Sequence, residues 1–258
     1  MRLFELKTVQ ATAWRGLWEC LKELLNDVTV NIDANGVHLT AIDGSKVSLV
    51  HLRLEAFNFE TFSCTEPVGL GINCLSVYKL LKSVVATDCI TWYVDDHQRD
   101  VLKMVVENGE KNCRTRYDLR LLALDEDQLQ IPDFTSNVTI INMPSNELQR
   151  IVRDMAALSP HMAIRMTDDR LLHMSCVGDV ASQTTTIGEN QGGMQVTGER
   201  QPTFEGVYSL KYLMLFVKST ALSPNCEMML REEFPLILRY AVASLGTLSF
   251  CLAPRCEP

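Results

Sequence analysis

Apolar and polar residues alternate along Val28-Thr29-Val30-Asn31-Ile32, Val37-His38-Leu39-Thr40 and Lys46-Val47-Ser48-Leu49-Val50-His51-Leu52. A period of two predicts strands with one buried face. Asn35-Gly36, between the first two, predicts a tight hairpin turn. The period changes twice in this half of the chain. Trp14, Leu17, Trp18, Leu21, Leu24 and Leu25 recur at helical spacing along 11–26, which predicts an amphipathic helix. Leu75–Ser83 predicts a shorter one, with Asn73 as its cap.

The second half repeats this order at a shift of about 135 residues, a period that suggests duplicated domains rather than a solenoid. Pro144-Ser145-Asn146-Glu147 opens a helix carrying Leu148, Ile151, Val152 and Met155, the counterpart of the Trp14–Leu25 stripe. Met162–Met166 and Leu171–Ser175 repeat the hairpin, with Asp168-Asp169 at the turn. Tyr208–Leu213 repeats Asn73–Tyr78 and leads into Phe216-Val217-Lys218. Two strands follow each second helix: Cys89–Val94 with Val101–Glu107, and Cys226–Leu230 with Leu236–Val242. Helices and hairpins mixed in this way predict an α+β fold of two similar domains. We place the domains at 1–117 and 135–258. The segment 118–134 between them has an acidic centre, Asp125-Glu126-Asp127, and reads as an exposed connector. Leu129 and Ile131 either pin that connector down or wall a pocket for a partner.

Composition narrows the class. The chain has 258 residues, 47% apolar and 22% charged, which suits an ordinary globular protein of two domains. Its first residues, Met1–Lys7, hold no apolar stretch of signal-peptide type. Asn73 interrupts the apolar run Val68–Tyr78 and Arg239 interrupts Phe234–Leu252, so neither predicts a membrane span. The nine cysteines show no Cys-x-x-Cys and no zinc-finger spacing, which predicts reduced, mostly buried thiols, with no metal and no cofactor. No P-loop, Gly-x-Ser-x-Gly or His-Glu-x-x-His is present, Gly69-Leu70-Gly71 lacks a third glycine, and the five histidines are scattered. The expectation is a protein that is not an enzyme.

Charge changes the picture more. The net charge is −8, which argues against a polyanionic partner unless the cations are concentrated. They are. The predicted helices carry Arg15 and Lys22, Lys79 and Lys82, Arg150 and Arg153, and Lys211 and Lys218, each pair keeping to one side of its helix. Those windows hold eight basic and four acidic residues, while the rest of the chain is net −12. Such a surface attracts phosphates whatever the base sequence, and no base-reading motif accompanies it.

Along essentially its whole length the chain resembles the proliferating cell nuclear antigen family, the eukaryotic sliding clamps. The resemblance is carried by Leu21-Lys22-Glu23-Leu24, Ala41–Val50, Leu124–Pro132, Ile151-Val152-Arg153-Asp154 and Leu252-Ala253-Pro254-Arg255. It implies the DNA-clamp fold, with antiparallel sheets outside and two helices inside in each domain. It implies a homotrimer around double-stranded DNA, a nuclear location, and roles as a processivity factor in replication and in DNA repair. It also implies that DNA polymerase, the clamp loader and other proteins dock through a short peptide motif, the PIP box. Carried over, the DNA-facing side chains are the eight basic residues above. The peptide pocket is Ile42, Lys46, Leu129, Ile131, Pro132, Pro235, Ala253 and Pro254. Lys46 stands where the family commonly has histidine, Cys251 where it often has an aromatic, and Asp168 where it often has a ubiquitin-accepting lysine. Cys113–Arg116 and Val180–Thr186 are the expected edge strands between subunits. The alternative within the superfamily is a subunit of a heterotrimeric DNA-damage checkpoint clamp.

Overall fold

The alternating segments fold as strands, and the helical stripes of each half fold as helices. In the computed structural model the residues described are 1–124, 138–167, 169–198, 204–232 and 234–255. They form two compact units: Met1–Ala41, Val50–Gln130 and Ala241–Leu248 make the first, and Ile42–Leu49, Ile131–Tyr240 and Ser249–Pro258 the second.

The first half runs β1 (Arg2–Thr8), α1 (Ala11–Leu24), β2 (Asp27–Asp33), β3 (Gly36–Ile42), β4 (Ser48–Glu55), β5 (Thr61–Cys64) and β6 (Val68–Asn73). It continues through α2 (Cys74–Leu81), β7 (Asp88–Asp95), β8 (Gln98–Asn108) and β9 (Cys113–Arg120). The second half runs β10 (Thr139–Pro144), α3 (Ser145–Ala156), β11 (His161–Met166), β12 (Leu172–Val177), β13 (Ser182–Ile187), β14 (Gln195–Gly198) and β15 (Phe204–Ser209). It ends with α4 (Leu210–Phe216), β16 (Asn225–Leu230), β17 (Leu236–Val242) and β18 (Gly246–Leu252). The duplication is topological as well as sequential. Strand order β5-β1-β7-β8-β9 in the first half matches β14-β10-β16-β17-β18 in the second, and β6-β2-β3-β4 matches β15-β11-β12-β13.

In the first unit α1 buries Trp14, Leu17, Trp18 and Leu21. Trp14 meets Trp92 of β7 edge-on at 4.9 Å between ring centroids, and Trp18 lies 5.5 Å from the same ring. In the second unit α3 buries Leu148, Ile151, Val152 and Met155, while Phe216 of α4 stacks on Phe250 of β18 at 4.7 Å. Burial of one apolar stripe per helix against a sheet is what fixes these elements.

Three details differ from the sequence reading. The β2–β3 turn is centred on Ala34-Asn35, because Asp33 pairs with Gly36 and the Asp33 carboxylate accepts hydrogen bonds from Asn35 N and Gly36 N. Gly36 starts β3 at φ 146, and a Cβ there would lie 1.9 Å from the Leu54 carbonyl oxygen, so only glycine fits. Residues 118–120, placed by sequence in the connector, continue β9 against β8, and Leu122 N then donates to Gly71 O at 2.8 Å. The last helix stops at Phe216, and Lys218 falls in a 3-10 segment, Val217–Ala221. There Thr220 Oγ1 donates to Val217 O at 2.7 Å and competes for the helix backbone. The connector residues Leu129, Ile131 and Pro132, and Asp168 of the second hairpin turn, lie outside the described residues.

Candidate functional site

Each helix buries one stripe; α2, α3 and α4 with its 3-10 extension carry exposed basic pairs on the other, while the pair of α1 is half-buried. On α1 the outward stripe runs Thr12, Arg15, Glu19, Lys22, and on α3 it runs Asn146, Arg150, Arg153, Ala157. The pairs are not equivalent. Arg15 is half-buried and donates from Nη1 to the carbonyl of Val84, just past α2, at 2.7 Å. Lys22 pairs with Glu23 and stands 4.8 Å from the centre of the Tyr78 ring. The Glu23 hydrogen bond, opposed by desolvation, raises its pKa, so it stays a cation. Lys79, Lys82, Arg150, Arg153, Lys211 and Lys218 are all exposed. Arg150 has only a surface partner, Asp154 at 3.5 Å, one turn along the same helix, a pair of small energetic weight.

A second feature lies wholly within the second unit. Ile140, Met229 and Ile237 stand in register across β10, β16 and β17. With Cys251 of β18, Leu49 of β4 and Phe234 they form an apolar cluster separate from the helix-backed core. Met229, Ile237 and Cys251 are buried, while Leu49, Ile140 and Phe234 are half-buried and form its open side. Burial pushes the Cys251 thiol up to about 12, so it acts as a small hydrophobe rather than a nucleophile. The Arg231 guanidinium lies over the Phe234 ring at 4.3 Å.

The loop from Asp43 to Val47 stands beside this cluster in the chain, ahead of Leu49. Ile42 is 39% exposed at its start, a large side chain left in water. Lys46 is exposed with φ 57, a conformation rare outside glycine. What holds it there is Asp43. Its Oδ1 accepts from Val47 N at 2.9 Å and Ser48 N at 2.6 Å, and its Oδ2 from Ser45 N at 3.0 Å and Tyr212 Oη at 2.9 Å. Burial alone would raise the Asp43 pKa, but these four donors outweigh it and hold it at about 2. Ala253 N donates to Val47 O at 3.1 Å, which brings Ala253 and Pro254, both exposed, to the same loop. Pro235 is half-buried next to Phe234.

Of the predicted pocket, then, Ile42, Lys46, Ala253 and Pro254 are gathered around one loop, and Pro235 is placed at the cluster. Leu129, Ile131 and Pro132 are outside the described residues. The cluster residues Leu49, Ile140, Met229, Phe234 and Ile237 were not among the residues singled out from the sequence. Among the described residues, no group of His, Cys, Asp or Glu is arranged to hold a metal, and no helix is long and apolar enough to cross a membrane.

The comparisons with known proteins agree with the doubled topology. The model of the proliferating cell nuclear antigen N-terminal domain matches residues 3–130, and that of the C-terminal domain matches 130–255. The chain belongs to the proliferating cell nuclear antigen family. It is 38% identical over 255 residues to "Probable DNA polymerase sliding clamp 1" of Paramecium bursaria Chlorella virus 1, covering 98% of this chain and 97% of that protein. It is 32% identical over 257 residues to "Proliferating cell nuclear antigen" of Chaetomium thermophilum, covering 98% of each. β9 ends the sheet β5-β1-β7-β8-β9, and β13 ends the sheet β13-β12-β11-β15. β13 begins at Ser182, so Val180 of the expected edge segment lies in the preceding turn.

Proposed function

We propose that the protein is a DNA sliding clamp, a ring of three identical subunits that encircles duplex DNA and holds replication and repair proteins to it. The observation that carries this reading is the exposed cation placement: α2, α3 and α4 with its 3-10 extension each present a basic pair on the stripe opposite the core, in a chain of net charge −8. Helices of that kind line a channel well, because phosphate attraction without base contacts lets a ring slide. The role asks for no catalytic group. The family membership and the likeness to a viral protein named as a probable DNA polymerase sliding clamp support it. The resemblance to eukaryotic clamps supports a nuclear location, and neither relative named above is a checkpoint clamp by its name.

The partner site is the apolar cluster with the Asp43–Val47 loop and the Ala253-Pro254 segment. An open apolar floor beside a fixed polar rim fits a short peptide with paired aromatic anchors, the kind by which a polymerase or clamp loader would dock. Ile42→Asp should weaken such a peptide by about 2 kcal/mol, as loss of an interface anchor does, while leaving the native mass unchanged. The ring itself is tested on nicked circular DNA. The loaded protein should stay on the closed circle in high salt and leave once the circle is linearised. Equal loss from both forms would reject encirclement.

A further inference from the structure

Tyr212 sits on α4, next to Lys211, and belongs to none of the segments that form the partner pocket. Yet its hydroxyl is one of the four donors that close on the Asp43 carboxylate. Both side chains are more than nine-tenths buried, Asp43 at 7% and Tyr212 at 8% exposure. The other three donors are backbone N–H groups, two of the loop, Ser45 and Val47, and one of Ser48 at the start of β4. The carboxylate is therefore a bracket: one side grips the loop, and the other is fixed to a helix. The helix end is rigid, because the Tyr212 ring lies 6.5 Å from that of Phe216, which stacks on Phe250. The loop end is strained, because Lys46 holds φ 57. A non-glycine residue keeps that conformation only where its surroundings over-determine it.

We infer that Tyr212 is a positioning residue for partner binding: through Asp43 it sets where the 43–47 loop stands, and so the spacing between Ile42, Lys46 and the Ala253-Pro254 segment that a docking peptide must span. This rests on the pocket reading above. Without the hydroxyl, Asp43 Oδ2 keeps one donor, Ser45 N, and the loop is no longer tied through that carboxylate to α4. The binding groups all remain. Their preorganisation does not, and affinity is sensitive to it.

The test is a double-mutant cycle on the full-length protein, read by titration with a synthetic peptide carrying paired aromatic anchors. Tyr212→Phe keeps the ring and its packing, and should weaken the peptide about fivefold, the cost of re-ordering on binding a loop that the hydroxyl no longer fixes. Asp43→Asn should weaken it at least as much. The two together should cost no more than the larger alone, since both break one bracket. The free protein gives a second measure: backbone amide resonances of Lys46 and Ala253 should shift in Tyr212→Phe. If wild type binds and Tyr212→Phe binds equally well, the inference is overturned. Additive losses, or unmoved Lys46 and Ala253 resonances, would also overturn it. If wild type itself does not bind the peptide, the pocket reading fails first and takes this inference with it.

Discussion

Asp43 shows how one side chain can organise a surface it does not itself present. Its four donors hold the carboxylate at about 2 against an ordinary 3.8, so the folded state prefers the charged form. The sign follows from that depression: the stabilisation is complete above about pH 4, the unfolded carboxyl's range, and is lost as pH falls through the folded value near 2. At neutral pH it amounts to about 2 kcal/mol. Asp43→Asn should therefore lower the free energy of unfolding in urea by about that much at neutral pH, and the gap from wild type should narrow as the pH falls from about 4. A gap that stayed constant with pH would mean the carboxylate is not the group at work. Nothing in Ala41-Ile42-Asp43-Gly44-Ser45 marks this aspartate as buried. The loop closes only once Tyr212, far along the chain, is brought to it.

At the scale of elements, the helices were the most legible part of the sequence. A 3.6-residue period over fourteen residues in α1 leaves little ambiguity, and Asn73 caps α2 as expected, accepting from Ser76 N at 2.9 Å. The apolar cluster of Ile140, Met229, Ile237 and Cys251 was not legible, for a physical reason. β17 reads Leu-Ile-Leu-Arg-Tyr-Ala-Val with Leu236, Ile237 and Leu238 all buried, and β18 buries Leu248 through Leu252 without a break. A strand covered on both faces loses the alternation that tells one face from the other, so the sequence does not say which face Ile237 and Cys251 take. The same scale separates two kinds of basic residue that sequence treated alike. Arg15 ties α1 to Val84 with a partly buried guanidinium, and its Nε is buried with no hydrogen-bond partner among the described residues. Lys82 ends α2 in water. Arg15→Glu should cost stability, about 1–3 kcal/mol for a buried hydrogen bond lost. Lys82→Glu, an exposed surface change, should stay within about 0.5 kcal/mol. Charge reversal at Lys79, Lys82, Arg153 and Lys218 together should flatten the dependence of DNA affinity on salt, by close to one unit of slope for each phosphate no longer neutralised. An unchanged slope would remove these residues from the DNA surface.

At the scale of the whole molecule, the question is what closes the open edges. Among the described residues β9 and β13 each pair on one side only, β9 with β8 and β13 with β12. Thr184, Thr186 and most of β9 are exposed. Long edges invite pairing with another chain, and a ring that joins β9 of one subunit to β13 of the next would leave neither of these two unpaired. The proposed ring of three chains, each of 29.1 kDa, would have a mass of about 87 kDa. Proline offers a test that separates assembly from folding. In an antiparallel edge strand, neighbouring residues turn their N–H groups alternately inward, to the existing ladder, and outward. Thr184 and Thr185 are such neighbours, paired with Ser175 and Met174 of β12. Proline at one of them removes a bond to β12 and should lower the thermal midpoint of the subunit. Proline at the other removes only an outward donor, which an edge tolerates. That second variant should keep its subunit stability yet run at the mass of a single chain by native mass spectrometry at micromolar concentration. If both variants kept the full mass, β13 would not be the strand that joins subunits, and the ring would have to close through another edge.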